Sequence, residues 1–204
     1  MNRTLVSLFG AFIMLFLFQS CCKDEIISPE EFSDLINLQV GNYWVYESGT
    51  VAENGNLENS RIDSVVVLNE IFEVGVKLYE LSGSLGLDNK ESSFVYDSLN
   101  YLIEFPSRRI LFTTDTAYVD IVDNQLFDGV QKNEPERQMV EVPAGSFNSY
   151  NLKSVFDSKD PDYEFGQLQS NIYFADGVSL IKTDGQYASS GTKIEKRLSS
   201  YGKK

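Results

Sequence analysis

From Asn42 onward, apolar and polar residues alternate in short runs broken by turn residues about every ten positions. That period of two is the signature of half-buried β-strands. In Asn42–Ser48 (NYWVYES), Tyr43 and Val45 point to one face, Trp44 and Tyr46 to the other. Arg61–Leu68 and Glu73–Gly83 repeat the pattern, the second with Val74, Val76 and Leu78 on a shared face. Ser92–Ser98 and Tyr101–Phe105 are split at Ser98-Leu99-Asn100 and read as a hairpin. Arg108–Thr114 and Ala117–Asp123 are separated by Asp115-Thr116. Arg137–Pro143 meets Ser149–Phe156 across Ala144-Gly145-Ser146, where proline ends a strand and glycine supplies a positive φ. Ser170–Ala175 and Ser179–Thr183 are joined by Asp176-Gly177, a tight-turn signal. Thr192–Tyr201 closes the chain with Ile194 and Leu198.

The pattern predicts an all-β domain over residues 38–204, with ten to twelve strands and no long helix after residue 40. Strands without intervening helices cannot make right-handed parallel crossovers, so the sheet is expected to be mainly antiparallel. A strongly curved sheet, a half-barrel or an open sandwich satisfies it, with the concave face as the place for a ligand. Asp157–Glu164 reads as a loop, as does most of Asp123–Glu136. Before the domain, residues 21–37 read as a tether. Ser28 is placed to cap a helical turn, with Pro29 at its first position, Glu31 at the third, and Phe32, Leu35 and Ile36 on one face.

The first twenty residues break this pattern. Arg3 precedes an apolar run, Leu5–Phe18, interrupted only by Ser7 and Gly10. As a helix it reaches about 21 Å, short of the ~30 Å hydrocarbon core, so residues 1–20 read as a signal peptide rather than a span. Phe18-Gln19-Ser20-Cys21 resembles the bacterial lipobox. That resemblance implies acyl transfer to the Cys21 thiol, cleavage before Cys21 and acylation of the new amine, a stable membrane anchor. Cys22 fits less well as acceptor, because Gln19 would then take the apolar position. Lys23-Asp24-Glu25 resembles the surface-export signal of Bacteroidetes-type lipoproteins, with a solvated linker as the plain alternative. Cys21 and Cys22 are the only cysteines, and a disulfide between adjacent residues would staple nothing.

Composition narrows the chemistry. The chain has 204 residues, 17 basic and 30 acidic, for a formal charge of −13. That balance argues against nucleic acid and against electrostatic docking on anionic lipid. With no histidine, His-based triads, HExxH zinc sites and the usual neutral-pH base are excluded. Ser190-Gly191-Thr192-Lys193 matches Ser-x-x-Lys but falls in a turn, where the penicillin-recognising enzymes need a helix. Asp157, Asp160, Asp162 and Glu164 offer oxygen ligands for calcium without the order or the glycine of a calcium loop. A pair of carboxylates could hydrolyse glycosides, but chance guarantees nearby pairs among thirty. No catalytic residue, metal site or cofactor is expected.

Leu38–Glu47 (LQVGNYWVYE), Val140–Lys153 (VEVPAGSFNSYNLK) and Tyr173–Thr183 (YFADGVSLIKT) together resemble uncharacterised Bacteroidetes lipoproteins of the TapB-like family. The resemblance spans nearly all of residues 36–200 and implies an all-β domain with no established activity. Ser179 stands where the family pattern has a second glycine, a departure at a point of close backbone packing. Trp44 reads as a core residue, with sugar stacking by Trp44, Tyr43 or Tyr46 as the functional alternative. The expected protein is a lipoprotein anchored in the bacterial outer membrane, displayed at the surface, and non-enzymatic. Its domain would bind a glycan, a peptide or an envelope protein. The alternative is a lipid or lipoprotein carrier with an apolar half-barrel cavity, and the third reading is a carboxylate-dependent hydrolase.

Overall fold

The computed structural model describes residues 36–73, 75–86 and 90–203. The signal segment, Cys21, Lys23, Asp24, Glu25 and the turn at Ser28 lie outside the described residues. Thirteen strands lie within one compact unit, Phe32–Lys204, and the described residues contain no helix. In chain order they are β1 (Tyr43–Val51), β2 (Leu57–Glu73), β3 (Val76–Ser82), β4 (Ser92–Ser98), β5 (Tyr101–Phe105) and β6 (Ile110–Thr113). There follow β7 (Val119–Asp123), β8 (Phe127–Asn133), β9 (Gln138–Val142), β10 (Gly145–Ser158), β11 (Leu168–Ala175), β12 (Ser179–Gln186) and β13 (Lys193–Gly202).

Every pairing is antiparallel, as expected, and the thirteen strands make one open curved sheet. Its order is β6-β5-β4-β3-β2-β1-β13-β12-β11-β10-β8-β7, with β9 a short branch on β10. The sheet is thus a meander wrapped onto itself. β1 and β13 pair in the middle, while the successive strands β6 and β7 form the two ends. Only Thr114–Tyr118 connects those ends, and so short a link spans about 20 Å at most. A flat twelve-strand sheet, with ~4.8 Å between strands, would hold its edges more than twice that far apart, so the sheet must curl.

Two long strands make the corners. β2 pairs with β1 through its first half and with β3 through its second, its register shifting between Val67 and Asn69. A bulge of this kind bends a strand and increases its twist. β10 does the same on the other arm: Gly145–Ser149 pairs with β9, and Tyr150 onward with β11. The β9–β10 hairpin turns at Pro143-Ala144 with Gly145 at φ +133°, matching the expected proline stop and glycine. The hairpin packs on β13, where the Ala144 amide donates to Leu198 O at 3.1 Å and Phe147 meets the Tyr201 ring edge-on.

One expectation of the strand pattern needs correction. Much of Asp123–Glu136 was expected to be loop, yet it contains β8, paired with β7 on one side and β10 on the other. β8 is hard to see because Gly129 interrupts it. A Cβ there would lie 2.2 Å from the Phe156 ring, so the strand gives up a side chain to let β10 pack. The thirteen strands otherwise agree with the roughly ten to twelve expected.

Candidate functional site

Directly opposed residues of neighbouring strands share a face, so the register lays out the concave side row by row. One row runs Asn133, Leu152, Ile172, Thr183, Lys196, Ser48, Arg61 across β8, β10, β11, β12, β13, β1 and β2. Next to it lie Gln131, Ser154 and Ser170 in one direction, and Tyr150 and Phe174, with Leu198 and Tyr46, in the other. The interior is therefore apolar toward one end of the strands and polar toward the other.

The apolar end is filled. Trp44, Tyr46, Val65, Leu81, Val95, Leu102, Phe112, Leu152, Phe174 and Leu198 are buried in one cluster. Phe112 of β6 stacks on Phe174 of β11 with ring centroids 3.8 Å apart, which holds one end of the curled sheet against the opposite wall. Each buried aromatic donor has an acceptor. Trp44 Nε1 donates to Val178 O, and the Tyr46 hydroxyl donates to Leu180 O at 3.1 Å. Burial pushes the Tyr46 phenol far up, so it stays neutral. These two rings are structural; sugar stacking by Trp44 or Tyr46 is overturned, since neither face reaches solvent. Tyr43 lies on the other side of β1, half-exposed, with its ring against Gly202.

Close backbone packing at Ser179 is present despite the missing glycine. Ser179 is fully buried with φ +129°, in the region that favours glycine, two residues after Gly177 at φ +67°. A non-glycine residue held there carries backbone strain.

The polar end is held by charge. Arg61 pairs with Asp63 at 3.2 Å, and Ser48 Oγ donates to Asp63 at 3.0 Å. Lys196 is buried, and its Nζ donates to Ser84 O at 2.8 Å and Gly86 O at 3.1 Å while lying 4.9 Å from the Tyr46 ring. Those bonds draw Ser84–Gly86, from the β3–β4 connection, onto the concave face, where Leu85 joins the core. On β5, buried Glu104 is gripped by Lys90, Arg109 (3.3 Å) and Ser107 (2.9 Å). Burial opposes its ionisation, but the bonds from Lys90 and Ser107 and the Arg109 charge hold its carboxyl below the ordinary value of 4.5.

Between these ends the sheet does not close. Asn133 Nδ2 of β8 donates to Thr113 O at 2.6 Å and Asp115 O at 2.9 Å, stitching the seam at the end of β6. At the start of β6 a cavity of about 280 Å³ opens instead. Leu85, Ile110, Leu111, Ile172 and Phe174 make its apolar wall, and Arg109, Gln131, Ser170 and Thr183 supply the polar groups. An apolar cleft with a few polar groups is the usual composition of a small-molecule site, and this volume falls just below the usual ~300–1,000 Å³. A second cavity of about 260 Å³ adjoins the Arg61–Asp63 pair, Glu195 and Lys196.

The other candidate residues do not converge. In Asp157–Glu164, the Asp160 carboxylate accepts the Asp162 amide and Asp157 accepts from Gln167, both at 3.0 Å. Among the described residues, no three acidic side chains form a metal-holding group. Ser190 and Thr192 bond to each other in the turn between β12 and β13. None of Arg109, Gln131, Ser170, Thr183 and Lys196 stood out in the sequence as a site residue. For Lys196 a signal existed: it shares the parity of Ile194 and Leu198, which places an ammonium on the buried face.

No protein-family model matches the chain, and no curated protein matches it. Solved structures with a related backbone include a candidate lipoprotein from Parabacteroides distasonis ATCC 8503. It is 15% identical, with a TM-score of 0.48, over 82% of this chain and 98% of that one. A candidate exported protein with a YmcC-like fold from Bacteroides fragilis NCTC 9343 is 12% identical, with a TM-score of 0.46, over 81% and 97%.

Proposed function

We propose that this protein is an outer-membrane lipoprotein, acylated on Cys21, whose β domain is a non-enzymatic binding module that uses its concave face. The lipobox-like Phe18–Cys21 supports the anchor, and Lys23-Asp24-Glu25 supports display at the cell surface. The observation that carries the binding role is the half-filled interior: the same strands that bury a continuous core leave, at its border, a cavity in which apolar wall residues meet Arg109, Gln131, Ser170 and Thr183. The partner is a glycan, a peptide or an envelope protein, and resemblance to the TapB-like family is compatible with each.

The hydrolase reading lacks this kind of support. The carboxylates beside the second cavity are ion-paired, Asp63 with Arg61, and Glu195 with Lys182 at 2.9 Å and with Arg197. Both carboxylates are thus held by cations rather than presented to a bound substrate. The carrier reading has two supporting observations, the seam cavity, too small at about 280 Å³ for the several acyl chains of a lipoprotein, and an open cavity of about 720 Å³ beside Ile36, Leu38, Val40 and Tyr79.

The anchor is tested by acyl labelling of wild type against Cys21→Ala; retained acylation and membrane binding would overturn it. Surface proteolysis of intact cells tests display. The binding role is tested by exposing the detergent-solubilised mature protein to glycan, peptide and envelope-protein arrays, where silence on all three counts against it.

A further inference from the structure

We infer that the free edge of β7 pairs with the same edge of a second copy of this chain, antiparallel and centred on Ile121. This goes beyond the binding reading above, which uses the concave face, and does not depend on it.

The first observation is an open strand edge. β7 ends the sheet, and β8 is its only partner among the described strands. Two bonds set the phase of the ladder. The Asn124 amide donates to Phe127 O at 3.1 Å, and the Lys159 amide donates to Leu126 O at 2.9 Å. In an antiparallel pair the bonded side alternates residue by residue, so Asp120, Val122 and Asn124 turn their backbone groups toward β8. Val119, Ile121 and Asp123 turn theirs outward, a row of amides and carbonyls ready for another strand. The β6 edge differs, because Asn133 already bonds to Thr113 O.

The second observation is an apolar stripe that runs off this edge. On the outer face of the sheet Val155 lies beside Val130, and Val130 beside Ile121, which is 76% exposed. A second copy related by a two-fold axis at Ile121 continues the stripe with its own Ile121, Val130 and Val155.

The third is self-complementarity. For the five residues Val119–Asp123, the register centred on Ile121 is the one that overlaps them all. It sets Val119 opposite Asp123 and Asp120 opposite Val122, so no aspartate meets an aspartate. Centring on Asp120 instead would oppose two carboxylates. The flanking rows also match. Lys132 and Lys153 lie in line with Val119, while Asp128 and Asp157 lie in line with Asp123. Across the axis the basic row of each copy runs into the acidic row of the other, which stays net negative although Lys159 pairs with Asp123 and Asp128. Such charges set register more than affinity. The −13 carried by each copy is screened beyond about 8 Å at physiological ionic strength, so the local match decides. A contact this small belongs to the weak, transient class, below about 1,200 Å², so covalent trapping is the suitable readout.

The test is mild oxidation of cells expressing the full chain with Cys22→Ala and one added thiol. Ile121→Cys should give a disulfide-linked dimer, because the Cα atoms of a bonded antiparallel pair lie about 5.5 Å apart. Val119→Cys and Leu126→Cys, also exposed, should stay monomeric, since this register holds the two copies of residue 119 about 14 Å apart. The double variant Val119→Cys/Asp123→Cys should crosslink, and adding Ile121→Pro should abolish that crosslink. Proline there removes an outward amide and none of the bonds to β8. A monomeric Ile121→Cys would overturn the inference, and so would equal crosslinking at all three single positions, the mark of random collision. Crosslinking of Ile121→Cys to a different protein, with no dimer of this chain, would also overturn it. Should Ile121→Pro not fold, the comparison of Ile121→Cys with Val119→Cys decides the matter.

Discussion

The two ends of the concave face are built from the same strands in the same register, yet one is packed and the other is open. At the packed end Phe112, Phe174, Tyr46 and Leu198 interlock, and the aromatic polar atoms reach carbonyls across the core. At the open end the same alternation delivers Thr183, Lys196, Ser48, Arg61, Gln131 and Ser170 to the inside. Polar side chains of that kind cannot close a core unless each finds a partner. They find them in one another and in the Ser84–Gly86 backbone, and the space left over is the seam cavity. Buried apolar packing is therefore concentrated at one end of the sheet and open space at the other.

The largest effect should come from the packed end. Phe112→Ala removes a fully buried ring and its stacking partner's contact, and should cost about 3–5 kcal/mol in denaturant unfolding. Ile110→Ala, two residues away at the cavity wall, should cost about 1 kcal/mol or less, because its side chain is only partly buried. Equal losses would dissolve the distinction between the ends. Next in size is Lys196→Ala. It leaves the Ser84 and Gly86 carbonyls without that donor and should cost about 2–3 kcal/mol. It should also raise hydrogen exchange in Ser84–Gly86 before it does so in β11.

A smaller change of opposite sign is expected at Ser179. Ser179→Gly relieves the positive φ at a small entropic cost in the unfolded chain, for a net gain of about 1 kcal/mol. A loss in thermal unfolding would mean that the hydroxyl matters more than the backbone. The smallest effect is an acid one. Glu104 ionises more readily folded than unfolded, so its contribution is present above the ordinary value of 4.5 and is lost as pH falls through its lower folded value. Glu104→Gln should flatten the decline of stability in that acid window and leave the curve near neutrality with the same slope. An unchanged acid limb would contradict the ion cluster's role.

Much of the fold was legible because period-two alternation survives in most strands. β4 and β5 fall at the expected residues, and β1, β9, β11 and β13 within a few of them. The parity of Trp44 and Tyr46 already assigned them to one face, and the burial of both follows. β8 escaped because its glycine and its charged residues break the hydrophobic pattern, for a reason that lies on another strand, the Phe156 ring. The first part of β2 escaped because Leu57–Arg61 is polar and is held by pairing with β1 rather than by burial. The cavity could not be read at all. It arises from the failure of β6 to close against the far end of the sheet, and that depends on the sum of many small twists rather than on any local pattern. Arg109, Ser170 and Thr183 look like ordinary strand residues until the curl brings them around one space.

The account's central claim, that the concave face is sealed at one end and open at the other, is tested most directly by methyl NMR of the mature protein with a soluble paramagnetic co-solute. Ile110, Leu111 and Ile172 should broaden as the co-solute is added while Val65, Val95 and Leu198 do not. Broadening of equal size in both sets, or in neither, would contradict it.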